Sequence, residues 1–384
     1  MSFPRLPNNR FWSGIVTGLL IACPSLLNAV SSHAAQTLGI RYGPFERAVQ
    51  VSDLRRYAEV QQATPELASL LQYLDPDARK GLQPLLQAEY PVNVAVLDQV
   101  LDSKVGQAFL AQVSGVFAQP NPGGIPALRS ALILGSAPPG LSLLSIIEAY
   151  PSPRVTVDVP KVIALIQEAM PDPPRDRLAS IPMWETVVEY QAMMGTNRTY
   201  AGCLFGDSIS SALGSDLGEG RINLALGGMS TISLQVQIER LIQQQVKCQT
   251  TVIAIGTNDA MYGLTDEQFQ QNLASIISIT RNGLGAQNII LIPAFYSTVK
   301  ASHNPHMAGT LTRVDEINAI LRGVAKAENV PVQSDIAKPF FEKGALKESL
   351  TFDGVHLNAE GIKLYRQAIL NLFSAYKVSS SKTN

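Results

Sequence analysis

The stretch GCLFGDS, residues 202–208, decides the fold of the C-terminal half of the chain. Its first four residues are small or apolar and predict a buried strand, and the glycine, aspartate and serine after them predict a turn. Further strand patterns alternate with helical patterns downstream; the five candidate strands are Gly202–Phe205, Arg221–Leu224, Thr251–Ile255, Ile289–Pro293 and Val330–Ser334. This alternation predicts βαβ units and a parallel sheet, so residues 200–376 are expected to form an α/β domain.

Glycines and polar residues stand where the predicted strands end. Ser208 follows the first strand, Gly228 the second and Asn258 the third. Asp353 and His356 precede the last predicted helix. Because open parallel sheets display their active sites just beyond the carboxyl ends of the strands, we expect these five residues to meet at one edge of the sheet.

These residue types suit nucleophilic catalysis. A serine hydroxyl needs a base to remove its proton, and a histidine does this best when a carboxylate holds its ring. Ser208, His356 and Asp353 can fill these three roles, and the spacing of the last two allows them to pair locally. The carboxamide of Asn258 and the backbone N–H of Gly228 are suitable donors for the oxyanion that forms on an attacked carbonyl.

Together these segments resemble the four sequence blocks of the GDSL/SGNH hydrolase superfamily, over residues 200–376. The resemblance implies a flavodoxin-like three-layer α/β/α fold and a metal-free mechanism that needs no cofactor. It assigns the five residues the roles just described, and it adds the backbone N–H of Ser208 to the oxyanion hole. Met229 stands where some relatives carry aspartate, so the pocket beside Gly228 is expected to differ from theirs.

Other polar and aromatic residues in this half are less informative. Asp207 and Asp259 are expected to tie loops together, since neither has a partner at a useful spacing. His303 and His306 are expected to be surface residues, because two loop histidines without other ligands make a weak metal site. The pair Phe-Tyr at 295–296 is compatible with lining a substrate pocket and with packing in the core.

The N-terminal half, residues 36–170, is predicted to be a smaller and mainly α-helical domain. It contains a predicted strand at Thr37–Tyr42, no histidine and no nucleophile with a base at recognisable spacing. Its segments RYGPFE (41–46), VSDL (51–54) and LRSAL (128–132) resemble an N-terminal domain of unknown role in exported bacterial α/β-hydrolases. An α/β-hydrolase proper would need a Gly-x-Ser-x-Gly elbow, and the chain has none. Residues 171–199 are predicted to be a linker and residues 377–384 a disordered tail.

The first 34 residues are predicted to be a secretory signal peptide. Arg5 and Arg10 precede a mostly apolar run at 11–22, and Ser32 and Ala34 are small residues of a cleavage site. The run is too short for a permanent membrane helix. A competing interpretation is a lipobox at residues 20–23, LIAC, in which case Cys23 would be acylated and the protein would associate with a membrane.

The charge and the cysteine content limit the kinds of binding partner and cross-link that are expected. The 384 residues carry 30 Lys+Arg and 31 Asp+Glu, a net charge of −1, so nothing favours nucleic acid as a partner. Three cysteines are too few for a disulfide scaffold or a cysteine-rich metal site. Export would place Cys203 and Cys248 where a disulfide is able to form. If Gly206 and Gly256 lie opposite each other at the ends of neighbouring strands, however, the two cysteines are five residues out of register, too far apart for a disulfide. They are therefore predicted to be two buried thiols.

The predicted function is an exported serine esterase that cleaves carboxylic esters through an acyl-enzyme on Ser208. Acyl lipids, lysophospholipids and O-acetylated carbohydrates all remain open as substrates. An acyltransferase would use the same residues. The alternative to an enzyme is a binding or assembly module whose hydrolase half is inactive. The sequence does not indicate an oligomeric state.

Overall fold

The structure, a computed structural model, describes residues 35–72, 79, 82–83, 86–118, 123–169 and 174–376. The predicted signal peptide, Cys23 and the predicted tail at 377–384 lie outside the described residues. Among the helices of the described residues, none has both the length and the apolar composition needed to cross a bilayer.

The N-terminal region is mainly helical and also contains a small sheet. Strands β1 (Thr37–Tyr42) and β2 (Phe45–Gln50) form an antiparallel hairpin, and β3 (Arg154–Asp158) pairs in parallel with the other side of β1. Its described helices include α1 (Val51–Val60), α2 (Pro65–Leu71), α3 (Val94–Asp102), α4 (Lys104–Ser114), α5 (Gly124–Gly135), α6 (Leu143–Ala149) and α7 (Val159–Ala169). Strand β2 was not predicted, because almost all of its side chains are exposed and its sequence lacks an apolar face.

The C-terminal half has the predicted α/β architecture. Its main strands are β4 (Thr199–Gly206), β5 (Arg221–Asn223), β6 (Lys247–Ala254) and β7 (Asn288–Ile292). Its helices are α8 (Pro182–Met194), α9 (Ser208–Ser211), α10 (Thr231–Gln243), α11 (Thr257–Met261), α12 (Asp266–Asn282), α13 (Leu311–Ala327) and α14 (Ala359–Ala375). A two-residue hairpin, β8 (Phe341–Glu342) and β9 (Ala345–Leu346), lies between α13 and α14.

The four main strands are parallel in the order β5-β4-β6-β7, and their side chains alternate between two cores. Phe205, Ile253 and Leu291 belong to one core, which they share with helices α8, α10, α12 and α13. The residues next to them, such as Leu204 and Val252, belong to the other core, which is covered by α14. A sheet with an apolar core on each face is the middle layer of the predicted α/β/α fold.

The fifth predicted strand, Val330–Ser334, is reduced to a single bridge. Val332 pairs in parallel with Leu291 at the far side of β7, so the position in the sheet is the predicted one. Pro331 has no N–H to extend the ladder, and the chain turns into a 3₁₀ segment at Ser334.

Residues 171–199, which were predicted to be a linker, contain a buried helix, α8. Helix α8 begins with Pro182, and its Trp184 and Val188 lie in the core of the C-terminal half. Its other side packs against α3 and α4, where Tyr190 Oη accepts a hydrogen bond from Asn93 N at 2.6 Å. The proline-rich stretch before α8 hid its apolar periodicity. One helix therefore joins the two halves of the molecule.

The prediction for the two cysteines was also wrong. Cys203 and Cys248 form a disulfide with a Cα–Cα distance of 5.7 Å. In the sheet Gly206 is opposite Ala254, two residues before the glycine with which the sequence analysis had aligned it. The cysteines are therefore nearer in register than predicted, and their Cα separation is one that a disulfide spans.

Candidate active site

Ser208 lies at the carboxyl end of β4, at the start of the short helix α9. The Asp207 side chain caps this helix by accepting a hydrogen bond from Ile209 N at 3.0 Å. A side chain at Gly206 would come within 2.7 Å of the carbonyl oxygen of Ala254, so only glycine allows this turn. The Ser208 side chain is partly exposed at the edge of the sheet.

His356 and Asp353 come from the loop before α14, and the structure brings them to Ser208. His356 Nε2 is 2.9 Å from Ser208 Oγ, and His356 Nδ1 is 2.6 Å from Asp353 Oδ2. Asp353 Oδ1 accepts hydrogen bonds from Val355 N and His356 N, both at 2.8 Å. The carboxylate therefore fixes both the imidazole ring and the loop that carries it. Phe352 stacks on the ring from one side, with ring centroids 5.9 Å apart.

The charged forms of Asp353 and His356 stabilise each other. Burial lowers the pKa of His356, but the hydrogen bond and negative charge of Asp353 outweigh this, and the pKa is above its ordinary value. Burial raises the pKa of Asp353, but the contacts with His356 outweigh it, and the pKa is below its usual range. Asp353 is thus ionised at neutral pH and favours a protonated imidazole.

The turn that carries Gly228 lies beside Ser208, and Asn258 hydrogen-bonds that turn. A Cβ at Gly227 would be 3.9 Å from Ser208 Cβ, which places the turn with Gly228 next to the serine. Gly228 has φ +76°, a conformation that favours glycine. Asn258 Nδ2 donates one hydrogen bond to Met229 O at 3.0 Å, which leaves its second N–H for a ligand.

Asp207 and Asp259 tie loops together, as predicted. Burial raises the pKa of Asp207 to about 6 and that of Asp259 to about 7, while hydrogen bonds to each carboxylate oppose the increase. Asp259 Oδ1 accepts from Thr231 N at 3.0 Å and from Thr231 Oγ1 at 2.5 Å, so it links α11 to the start of α10. Its Oδ2 is buried without a partner among the described residues.

Two residues that contact the site were missed. Tyr262 Oη donates to Gly228 O at 2.8 Å. Tyr262 is four residues after Asn258, one helical turn away, and this spacing predicts that the two side chains lie on the same face. Asp176 accepts hydrogen bonds from Ser230 and Ser233 at the start of α10. No sequence pattern marked Asp176, which is one of two aspartates in a proline-rich stretch.

The remaining candidates lie apart from this chemistry. His303 is exposed, and its Nδ1 is 2.6 Å from Val299 O. Phe295 is buried against Phe340, so it belongs to the core, and Tyr296 donates to a carboxylate of α13. Within the described residues, no group of three or more His, Cys, Asp or Glu could hold a metal ion.

Two protein families match separate parts of the chain. Residues 195–364 match the GDSL-like Lipase/Acylhydrolase family, and residues 34–158 match a family described as Alpha/beta hydrolase of unknown function (DUF1400). No curated protein matches the chain.

Three similar solved structures each match just under half of the chain. A GDSL-like lipase from Bacteroides thetaiotaomicron is 19% identical with a TM-score of 0.39, over 45% of this chain and 87% of its own. The lipase/acylhydrolase from Enterococcus faecalis is 22% identical with a TM-score of 0.37, over 46% and 96%. An acetylxylan esterase from Geobacillus stearothermophilus is 18% identical with a TM-score of 0.37, over 48% and 98%.

The family match over residues 195–364 gives the class: the protein is a hydrolase that acts on ester bonds. More particularly, residues 195–364 are a GDSL-like lipase/acylhydrolase domain, and residues 34–158 before it are a DUF1400 domain.

Proposed function

We propose that the protein hydrolyses carboxylic esters through an acyl-enzyme on Ser208. The observation that carries the proposal is the continuous chain of contacts from Asp353 through His356 to Ser208 Oγ, with distances of 2.6 and 2.9 Å. Both distances are within hydrogen-bonding range, so the base is in place before substrate binds.

In the proposed mechanism His356 Nε2 takes the proton of Ser208 as Oγ attacks the ester carbonyl. The negative charge on the carbonyl oxygen meets the backbone N–H groups of Ser208 and Gly228 and the amide of Asn258. Collapse of the tetrahedral intermediate breaks the ester bond, and His356 returns the proton to the departing alcohol. Water then attacks the acyl-enzyme with the same base and restores the free serine.

Hydrolysis of p-nitrophenyl acetate, butyrate and laurate tests this proposal. Ser208→Ala is expected to lose activity on every ester, while Ser215→Ala, which changes an exposed serine, is expected to match the parent. A Ser208→Ala variant that is folded and as active as the parent would refute the proposal.

The same series separates the substrate classes that the sequence left open. A preference for acetate indicates a small acyl group such as the O-acetyl of a carbohydrate, and a preference for laurate indicates acyl lipids. Acyl transfer to an added sugar in place of water would identify a transferase. A folded protein that is inactive on every ester and acceptor would indicate a binding role.

We also propose that the protein is exported and loses residues 1–34. The basic start, apolar run and small residues before position 35 support this, and so does the Cys203–Cys248 disulfide, because disulfides persist in oxidising compartments. The intact mass of protein secreted by a bacterial host tests the proposal. A chain that begins at residue 35 is expected. A lipidated chain that begins at Cys23 would support the lipobox, and a full-length cytoplasmic chain would refute export.

A further inference from the structure

Asp176 contacts the beginning of α10 from outside the GDSL-like domain. Its Oδ2 accepts from Ser230 Oγ at 2.5 Å and from Ser230 N at 3.2 Å. The same oxygen accepts from Ser233 Oγ at 2.7 Å and from Ser233 N at 3.2 Å. One carboxylate oxygen thus receives two hydroxyl and two backbone donors, and the partial positive charge of the helix start adds to the attraction.

The other oxygen of Asp176 holds the opposite side of the Gly228 turn. Oδ1 accepts from Leu178 N at 3.1 Å. A Cβ at Gly228 would be 3.5 Å from Leu178 Cδ1, so the Leu178 side chain packs directly against this turn. Ser230, which Oδ2 holds, lies two residues after Gly228. The carboxylate therefore holds both the chain that leaves the turn and the backbone of the residue whose side chain covers it.

Two further contacts hold the peptide groups of the same turn. Tyr262 Oη donates to Gly228 O at 2.8 Å, and Asn258 Nδ2 donates to Met229 O at 3.0 Å. Asn258 lies in α11 and Tyr262 directly follows this helix, so both belong to the GDSL-like domain. Asp259, which is also in the GDSL-like domain, holds Thr231 just after the turn, so among these groups Asp176 alone comes from outside that domain.

We propose that Asp176 is a positioning residue that keeps the backbone N–H of Gly228 aimed at the oxyanion. The proposal rests on the proposed function of Ser208 and Gly228. An oxyanion donor is effective only when it is preorganised at about 2.7–3.1 Å from the developing charge. The capping box of α10, Ser230 with Ser233, already provides acceptors for two N–H groups of the helix start. The contacts from Asp176 are made in addition to the capping box, and we expect them to fix the orientation of the Gly228 turn.

Misalignment of Gly228 affects the transition state more than the bound ester, because the charge on the carbonyl oxygen develops only during attack. A change at Asp176 is therefore expected to lower kcat and leave KM nearly unchanged. Removal of an entire oxyanion donor costs about 10²–10³ in kcat. A donor that is displaced but retained is expected to cost about tenfold.

The test compares Asp176→Asn with Asp266→Asn on p-nitrophenyl butyrate at a temperature where both are folded. The asparagine NH₂ cannot accept the serine donors, so at least one set of contacts is lost. Asp266 lies in the first turn of α12 and bonds Arg313, and it serves as the matched helix-start carboxylate. Asp176→Asn is expected to lower kcat about tenfold with KM within threefold, and Asp266→Asn to leave both at the parent values.

A kcat for Asp176→Asn within twofold of the parent overturns the proposal, even if thermal stability falls. If Asp176→Asn does not fold, Ser233→Ala removes one hydroxyl contact and is expected to lower kcat about threefold with KM unchanged; an unchanged kcat overturns the proposal. Ser208→Ala, assayed alongside, separates the two claims. An inactive Ser208→Ala with a fully active Asp176→Asn refutes only the role of Asp176, whereas an active Ser208→Ala refutes the proposed function.

Discussion

Replacement of Asp353 by asparagine changes the chemistry of the site with little change in its shape. The asparagine Oδ1 can still accept from Val355 N and His356 N, so the loop is expected to keep its conformation. Its Nδ2, however, is a donor facing His356 Nδ1, which is 2.6 Å away from the carboxylate in the parent. The neutral ring then has Nδ1 as acceptor and carries its proton on Nε2, where it cannot accept the proton of Ser208.

The size of the effect follows from this change of tautomer. Loss of the base and of the charge that stabilises the imidazolium is expected to lower kcat by about 10³–10⁴, or roughly 4–5.5 kcal/mol of transition-state stabilisation. The charge of Asp353 also raises the pKa of His356. Activity of the parent is therefore lost as the pH falls through a pKa above about 6.5, and the residual activity of the variant is expected to persist to lower pH.

The assay is kcat/KM on p-nitrophenyl butyrate from pH 5 to 9, with circular dichroism to confirm folding. Asp335→Asn is the matched control, because Asp335 is 81% exposed and pairs with Lys338, three residues later. A folded Asp353→Asn variant that keeps more than a tenth of the parent activity, with the same acid midpoint, would refute the assignment of Asp353 and His356.

Three further predictions follow from the site and the core. Asn258→Ala is expected to lower kcat about 10²–10³-fold with little change in KM, and steady-state kinetics with a parental kcat would contradict this. Asp259 has a pKa of about 7 when folded and 3.8 as its ordinary value, so its stabilising effect is present at low pH and is lost as pH rises through 7. Asp259→Asn should flatten the decline in unfolding free energy between about pH 4 and 7 in urea titrations; an identical slope would argue against a buried neutral carboxyl. Replacing both Cys203 and Cys248 by serine should cost up to about 4 kcal/mol, estimated from their sequence separation of 45, and an unchanged urea midpoint would contradict it.

The sequence predicted the parts of the site that lie at strand ends. Ser208, Gly228 and Asn258 follow successive strands within a few residues, so a parallel sheet brings them to one edge. His356 and Asp353 are three residues apart and pair through a local loop. For these residues short-range pattern and simple topology were sufficient.

The parts that sequence missed depend on long-range packing or on exact register. Asp176 reaches Ser230 across 54 residues, and nothing local distinguishes it from any other loop aspartate. The disulfide depended on a register two residues away from the one inferred from the glycines. Helix α8 was hidden by prolines, although it packs on both halves of the molecule.

The central claim is that Ser208 carries the acyl group, and covalent trapping tests it most directly. The mature protein is treated with a fluorophosphonate ester, which phosphonylates an activated serine, and the product is analysed by intact mass and peptide mapping. We predict one adduct per chain on Ser208, with loss of esterase activity and no adduct in Ser208→Ala. Full esterase activity without an adduct on Ser208, or an inactivating adduct at another residue, would contradict the claim.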